Sequence, residues 1–281
     1  MKYIQLEFML PDSIHEQFIA ELAEMDFYGF EQFDNRLVAY IETPRYNDSN
    51  RELIEQLVSL VPDASFCEKD QIEEKNWNEA WEQTIQPQRV GQFFIKPTWS
   101  LEEPESGEIL LEIDPKMAFG TGYHATTRLI LRQLSKIDFR QKMVMDAGTG
   151  TGILAIASVK LGAQKAIGFD IDPWSKNNAY ENAMINGVSE QVYIRFGSLD
   201  QIKPEEFFDI TLANINRNII LDLIPFFVEK TKISGSICLT GLLISDEEVI
   251  REKLQNEPVD IIDIQTEEEW ILFHLIKREI L

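Results

Sequence analysis

The segment Asp146-Ala147-Gly148-Thr149-Gly150-Thr151-Gly152 is where residue types and spacing could do chemistry. Its alternating glycines permit positive φ and let a ligand lie against bare backbone. A short apolar run, Met143–Met145, precedes it and a helical pattern opens at Ile153, which is the strand–turn–helix context of a nucleotide-type turn. A dinucleotide fingerprint wants glycine at its first, third and sixth positions. Counted from Gly148 the sixth residue is Ile153, so that match fails. The Asp146 carboxylate would also face a pyrophosphate at close range, which is repulsive. It suits a ligand bearing an ammonium and a sulfonium instead. The plain alternative is a chance glycine-rich turn.

A second carboxylate lies 18 residues after Gly152, where Ala166-Ile167-Gly168-Phe169 runs into Asp170. An acid at the end of that strand accepts hydrogen bonds from both hydroxyls of a ribose. Asp172 precedes Pro173 and reads as the start of the next helix. Gly197-Ser198-Leu199-Asp200, beyond a third strand, is where an adenine edge would be held. D-x-G-x-G-x-G is the pattern of S-adenosylmethionine-dependent methyltransferases, and the segment from Asp146 to Gly152 resembles it.

Residues so placed need a sheet to carry them. From Met143 onward short apolar runs end in Gly or Asp and alternate with helical patterns, as βαβ units do. Strands are expected at Met143–Met145, Ala166–Phe169, Val192–Arg195, Phe208–Ala213, Ser236–Thr240, Val259–Ile264 and Trp270–Ile276. Helices fall between them, at Ile153–Leu161 and Ser175–Asn186 among others. This is a doubly wound α/β sheet of seven strands with ligands at its carboxyl edge. Phe93–Ile95 and Ile109–Ile113 look like two further strands.

The first third has a different texture. Tyr3–Phe8 alternates, with Ile4, Leu6 and Phe8 on one face. Capping-box spacing at Ser13–Glu16 and at Ser49–Glu52 announces two helices, the second carrying Leu53, Leu57 and Leu60. Apolar runs flank a turn at Asp34-Asn35-Arg36, and Ala64–Cys67 closes the order β-α-β-β-α-β of a ferredoxin-like unit. The expected domains are a ferredoxin-like docking domain over 1–67, a linker helix over 68–86 with Trp77 and Trp81 at helical spacing, and the chemistry-bearing α/β domain over 87–281.

Charge separates these regions further. The chain of 281 residues carries a formal net charge of −22. Residues 1–85 hold 19 acids against 6 Lys plus Arg, so under a third of the chain carries more than half the excess. Phosphate backbones attract basic surfaces, which disfavours a bare nucleic-acid partner. The sharper reading is an acidic module that steers a basic protein; the plainer one is acidity for solubility. No apolar run approaches the roughly 18 residues of a membrane span. The N-terminus alternates where a signal peptide would be continuously apolar. Cys67 and Cys238, far apart and without metal-type spacing, read as free thiols. A cytoplasmic protein, monomeric, without metal or membrane partner, is the expectation.

A second motif makes the resemblance specific. Met117-Ala118-Phe119-Gly120-Thr121-Gly122-Tyr123-His124-Ala125-Thr126-Thr127 resembles an F-G-T-G-x-H-x-T-T loop found upstream of the cofactor motif in one family. Ile153–Ala157, Gly168–Pro173, Asn182 with Asn186-Gly187, and Ala213-Asn214-Ile215 recur there at matching places, as does Trp77-Asn78-Glu79-Ala80-Trp81. That family is the methyltransferases of large-subunit ribosomal protein eleven, the stalk-base protein. The resemblance spans most of the chain. One departure is Ala147-Gly148-Thr149, where members commonly carry a larger residue and then Cys.

The resemblance implies a Rossmann-like methyltransferase sheet with an N-terminal ferredoxin-like domain that docks the substrate. It implies that Thr127, Gly148, Asp170 and Asn214 contact S-adenosylmethionine, beside Asp146 and Gly150 of the glycine motif. Read by themselves, Thr127 could equally cap a helix near Ala125–Leu134, and Asn214 could merely satisfy a turn after a strand. His124 could orient the glycine loop. Phe119 reads as a lid over the methyl group or as core. Asn214 is also the candidate for positioning an amine, and no general base is assigned. The implied activity is N-methylation of lysine side chains and of the N-terminal amine of the ribosomal protein. Two alternatives stand beside it, a methyltransferase for rRNA or small molecules and a non-catalytic cofactor-binding assembly factor.

Overall fold

The computed structural model describes residues 2–27, 29–62, 64–73, 85–116 and 118–279. The expected linker helix over 68–86 is corrected at both ends, since 68–73 belong to a strand and 85–86 to no helix, while its Trp77 and Trp81 lie outside the described residues, as does Met117. Two compact units divide the chain, Met1–Glu79 and Ala80–Leu281.

In the first unit the elements are β1 (Lys2–Met9), α1 (His15–Glu24), β2 (Gly29–Phe33), β3 (Arg36–Glu42), α2 (Asp48–Ser59) and β4 (Ser65–Glu73). The sheet order is β2-β3-β1-β4 with every neighbouring pair antiparallel, the ferredoxin-like arrangement expected from the order of elements. Leu6, Phe8, Leu37, Ala39 and Ile41 bury one sheet face against Phe18, Leu22, Ile54 and Val58 of the helices.

Both capping boxes are corrected. A 3₁₀ turn at Asp12–Ile14 leads into α1, and the cap position Ile14 offers no side-chain bond. Asp12 reaches instead to the hairpin, where its Oδ1 accepts from the Asn35 amide at 2.7 Å. Asn35 needs that support, because its φ of 54° is left-handed. At α2 the cap is Asn47, whose side chain accepts from Asn50 N at 3.1 Å, two residues before the expected serine. The buried stripe of α2 shifts with it, since Ile54 and Val58 are buried while Leu53 and Leu60 are exposed. The final strand runs on to Glu73, past Cys67.

The second unit opens with a three-stranded sheet of β5 (Gln88–Val90), β6 (Phe93–Lys96) and β7 (Ile109–Glu112). Then follow α3 (Ala125–Leu134), β8 (Met143–Ala147), α4 (Ile153–Lys160), β9 (Lys165–Asp170), α5 (Pro173–Ile185) and β10 (Val192–Phe196). The chain continues through β11 (Phe208–Asn214), α6 (Arg217–Lys230), β12 (Thr231–Leu243), α7 (Glu247–Leu254), β13 (Val259–Glu267) and β14 (Trp270–Lys277). The seven-stranded order is β10-β9-β8-β11-β12-β14-β13, parallel except that β14 runs against both its neighbours.

The topology decides where a ligand can sit. From β8 the chain winds outward through β9 to β10 and then returns to β11 on the other side of β8. The crevice at that reversal, at the carboxyl ends of the strands, is the place an open α/β sheet leaves for a ligand. The helix behind it is fixed hard: α4 is apolar all round, and every residue from Ile153 to Val159 is buried. Among the described residues no helix is long and apolar enough to cross a membrane.

Candidate active site

The glycine turn leaves β8 at Ala147 and enters α4 at Gly152. Gly148, Gly150 and Gly152 have φ of 69°, 54° and 82°, a run that side-chain-bearing residues adopt only with strain. Space is as tight as conformation. A Cβ on Gly148 would come within 2.3 Å of Ile215, and one on Gly150 within 2.2 Å of the Phe119 carbonyl oxygen. The glycines are therefore required first by two neighbouring protein segments, and not by ligand approach alone.

Those segments are the loop after β7 and the turn after β11. Thr151 N donates to Phe119 O at 2.8 Å, and Thr151 Oγ1 donates to Gly120 O at 2.6 Å. The aromatic loop is thus sewn to the glycine turn. His124 caps α3, its Nδ1 accepting from Thr126 N at 3.3 Å, and its ring packs edge-on to Phe119 at 5.2 Å and to Trp270 at 4.7 Å. This is the orienting role read for a lone histidine.

The two acids are placed differently. Asp170 accepts from Gly150 N at 2.9 Å through Oδ2 and from Asp172 N at 3.0 Å through Oδ1, so the ribose-type acid also braces the turn. Asp172 begins α5 as expected, accepting from Trp174 N and Ser175 N. Asp146 is fully buried beneath the turn. Its Oδ2 accepts from Thr149 Oγ1 at 2.7 Å and from Ala155 N at 3.2 Å, whereas its Oδ1 has no partner. Burial pushes this carboxyl up to about 6 against the two hydrogen bonds that oppose it, with the Asp170 charge adding to the rise. Thr149, where the sequence departs from the resembled pattern, thereby acquires a structural use: its hydroxyl holds Asp146.

A cavity of about 620 Å³ opens at this edge, within the range of small-molecule sites. It brings together Phe119, Gly148, Gly150, Asp170 and Asn214 of the expected residues, with Gly197 and Ser198 of the expected adenine segment. Leu199 and Asp200 are not in the lining. Neither are Thr127 and Asp146. Thr127 is fully buried inside α3, where its Oγ1 accepts from Asn214 Nδ2 at 3.4 Å. That bond leaves Asn214 Oδ1 as an acceptor. Phe119 is 52% exposed, which removes the reading of it as a core residue.

Sequence reasoning missed Ile171, Ile215, Ile219, Leu223, Gly241 and Trp270 in the lining. A signal existed for two of them. Ile171 directly follows the ribose-type acid, and Gly241 continues a parallel strand adjacent to Asn214. Ile215 reaches the cavity from the turn after β11, beside the Asn214 already singled out, whereas Ile219 and Leu223 come from α6 and Trp270 from β14, with the types of ordinary core residues. Asp170 is the one carboxylate in the lining among the described residues. Among the described residues, no group of His, Cys, Asp and Glu could hold a metal ion.

The family model of ribosomal protein L11 methyltransferase (PrmA) matches residues 11–278 of this chain. The chain belongs to the ribosomal protein L11 methyltransferase family. A curated member from Chlorobaculum tepidum is 34% identical, with 96% of this chain and 94% of that protein covered. One from Phocaeicola vulgatus is 31% identical over 99% of this chain and its own full length. The crystal structure of a ribosomal protein L11 methylase from Lactobacillus delbrueckii subsp. bulgaricus superposes with a TM-score of 0.62 at 29% identity. It covers 68% of this chain and 98% of its own.

As a member of the L11 methyltransferase family, the chain is an S-adenosylmethionine-dependent enzyme of Rossmann-like fold. The residues present fit that cofactor. The cavity holds a carboxylate at Asp170 of the kind that could accept from a ribose, glycine backbone at Gly148 and Gly150, and an apolar wall at Ile171. The orphaned Oδ1 of Asp146 is a buried anionic oxygen of the kind that a nearby cationic ligand stabilises.

Proposed function

We propose that this enzyme methylates amines of ribosomal protein L11, at lysine side chains and at the N-terminal amine. The supporting observation is the pairing of the cofactor cradle with Asn214 and an aromatic wall in one nearly charge-free cavity. S-adenosylmethionine supplies an electrophilic methyl group on a sulfonium. The chain's own task is then alignment and exclusion of water, which together lower such a barrier by several kcal/mol.

A lysine amine has a reference pKa of about 10.4, so it must shed a proton before it attacks. A site lined largely by Phe119, Ile171, Ile215, Ile219, Leu223 and Trp270 favours the neutral form, because low dielectric penalises the ammonium. Asn214 Oδ1 accepts one amine N–H and aims the lone pair, while Thr127 fixes the amide from behind. Gly148, Gly150 and Asp170 hold the cofactor from the cavity wall. Asp146 acts from below the turn by its charge, and Phe119 closes the site as a lid. No residue is assigned as general base.

The first unit docks the substrate. Its acidity complements a basic ribosomal protein and disfavours an RNA backbone. A ribosomal substrate would place the enzyme in the cytoplasm. The test is incubation of the purified enzyme with radiolabelled S-adenosylmethionine and, separately, L11, whole ribosomes and rRNA, with the product mapped by peptide mass. Label on lysines and on the N-terminal amine of L11 is expected. Label in rRNA, or L11 labelled only at arginine or carboxylate, would refute the amine assignment.

A further inference from the structure

The aromatic side of the cavity is built from two segments far apart in sequence. The loop between β7 and α3 supplies Phe119 and His124, and the hairpin of β13 and β14 supplies Trp270. The three rings meet with His124 in the middle, at 5.2 and 4.7 Å from its neighbours. Edge-to-face contacts tolerate centroid separations over about 4.5–7 Å, so they do not fix how the two segments lie against each other.

One guanidinium supplies what the rings lack. Arg128, in the first turn of α3, has a side chain 19% exposed and lies outside the cavity lining. Its Nη1 donates to the Tyr123 carbonyl in the loop. Its Nε donates to Glu267 Oε1 at 2.6 Å, at the end of β13, and its Nη2 to Glu268 Oε1 at 2.9 Å, in the hairpin turn. Tyr123 immediately precedes His124. Glu267 is the cross-strand partner of Trp270, and directly paired residues send their side chains to the same face of a sheet. Arg128 thus holds the residue before one ring and the residue opposite another.

The grip depends on arginine geometry. A guanidinium presents five N–H donors in a rigid planar fork, whereas a lysine ammonium is a point charge on a flexible stem. Arg132, one turn further along α3, takes the other oxygen of the same carboxylate, Glu267 Oε2. Burial alone would raise the Glu267 carboxyl, but its bonds to the two arginines hold it below the ordinary carboxylate range, so it stays ionised at neutral pH.

We propose that Arg128 is a positioning residue for methyl transfer. By clamping the loop at Tyr123 to the hairpin at Glu267, it holds the wall of Phe119, His124 and Trp270 against the acceptor group of L11. The proposal rests on the reading of that wall as the acceptor's side of the cavity.

The test combines methyl transfer to L11, counted whatever atom carries the label, with cofactor calorimetry and ¹⁹F NMR of the full-length protein containing 5-fluorotryptophan. The chain has five tryptophans, and the Trp270 line is assigned by its loss in Trp270→Phe. In Arg128→Ala, kcat should fall about tenfold, as expected when reacting groups are held less closely in line, while KM for L11 and S-adenosylmethionine affinity stay within about twofold. The Trp270 line alone should shift or broaden. Arg128→Lys keeps the charge but not the fork and should stay slow. Arg132→Ala removes an ion pair to the same carboxylate, leaves the Tyr123 bond in place and should turn over at the wild-type rate. Cofactor binding in each variant reports that the second unit is folded. Wild-type kcat in Arg128→Ala, an equal loss in Arg132→Ala, or full recovery in Arg128→Lys would overturn the clamp. Trp270→Ala separates the clamp from the reading beneath it. If that variant also transfers methyl groups at the wild-type rate, the wall has no part in transfer and both fall. If it is slow while Arg128→Ala is not, only the clamp falls.

Discussion

The two units bury different things. Among the described residues of the first, His15 is the single buried polar or charged side chain, and its core is otherwise aliphatic and aromatic. The described residues of the second unit bury nineteen, among them Asp146, Thr149, Thr151 and Asn182 around the glycine turn. A buried polar group is retained only where hydrogen bonds offset its desolvation, so such groups record local constraint. Asn182 illustrates it, donating to Thr151 O at 2.9 Å and accepting from Asp114 N at 3.0 Å, which binds the turn to the segment before the aromatic loop. The first unit carries no such record. What it offers a partner is surface charge.

Separating the units should have the largest effect. A protein starting near Gln86 is expected to bind S-adenosylmethionine with full-length affinity by calorimetry. It should lose methylation of L11 almost entirely, because tethering supplies an effective concentration that a single exposed lysine cannot. Full-length turnover at low substrate should also fall with salt, as the Debye length shrinks from about 10 Å at 0.1 M to about 3 Å at 1 M. A truncated enzyme that methylates L11 at the full-length rate would reduce the acidity of the first unit to a solubility device.

Within the second unit, Asp170 carries the largest single-residue effect. It braces Gly150 and Asp172, and under the proposal that it also accepts from the ribose, Asp170→Ala should cost roughly 2–4 kcal/mol of cofactor affinity, given about 1.5–3 kcal/mol for each bond to a charged group and partial rescue by water. Calorimetry showing wild-type affinity would remove Asp170 from the site.

How far the two units could be read from sequence follows from the same contrast. The seven strands, α3 and the cap at Asp172 were legible because Gly, Pro and Asp punctuate apolar runs of fixed period. The helix starts of the first unit were not. Ser13 and Ser49 have the right spacing, but Asp12 is engaged by the hairpin and Asn47 reaches Asn50 first. At α1 the start is settled by a tertiary contact, from Asp12 to Asn35, that no local pattern contains, and at α2 by competition between two local candidates of similar propensity. In the site, Gly150 was legible as a glycine but not for its reason, which is the Phe119 carbonyl. Trp270, from a strand remote in sequence, carried no signal.

Asp146 gives a smaller, pH-dependent effect. Burial pushes its carboxyl up to about 6 in the fold from an ordinary value of 3.8, so the protonated form is favoured on folding. The contribution is fully present below about pH 4 and is lost as pH rises through about 6. At about 1.4 kcal/mol per pH unit the gap amounts to about 3 kcal/mol. Urea unfolding of the unliganded protein should therefore show the wild type gaining on Asp146→Asn by up to that amount between pH 7 and pH 4. Saturating S-adenosylmethionine should flatten the difference, since a nearby cation favours the carboxylate. Parallel pH profiles for the two proteins would mean that the carboxylate is already compensated.

The smallest effect is expected at Phe119, and it is the sharpest test of what the polar stitching around the turn is for. The backbone of this residue is held by Thr151 N, and the next carbonyl by Thr151 Oγ1, so the main chain is anchored while the side chain stays 52% exposed. An anchored loop with a half-exposed aromatic, followed by Gly120 and Gly122 at φ of 104° and 89°, has the parts of a lid whose closure excludes water. Phe119→Ala leaves every one of those main-chain bonds in place. It should lower turnover on L11 by about tenfold, equivalent to about 1.4 kcal/mol, and shift S-adenosylmethionine affinity and melting temperature much less. Single-turnover methylation, calorimetry and a thermal scan on the same preparation separate the outcomes. Equal losses of turnover and cofactor affinity would make Phe119 part of the cofactor wall, and a large drop in melting temperature would show that its contacts with His124 serve stability.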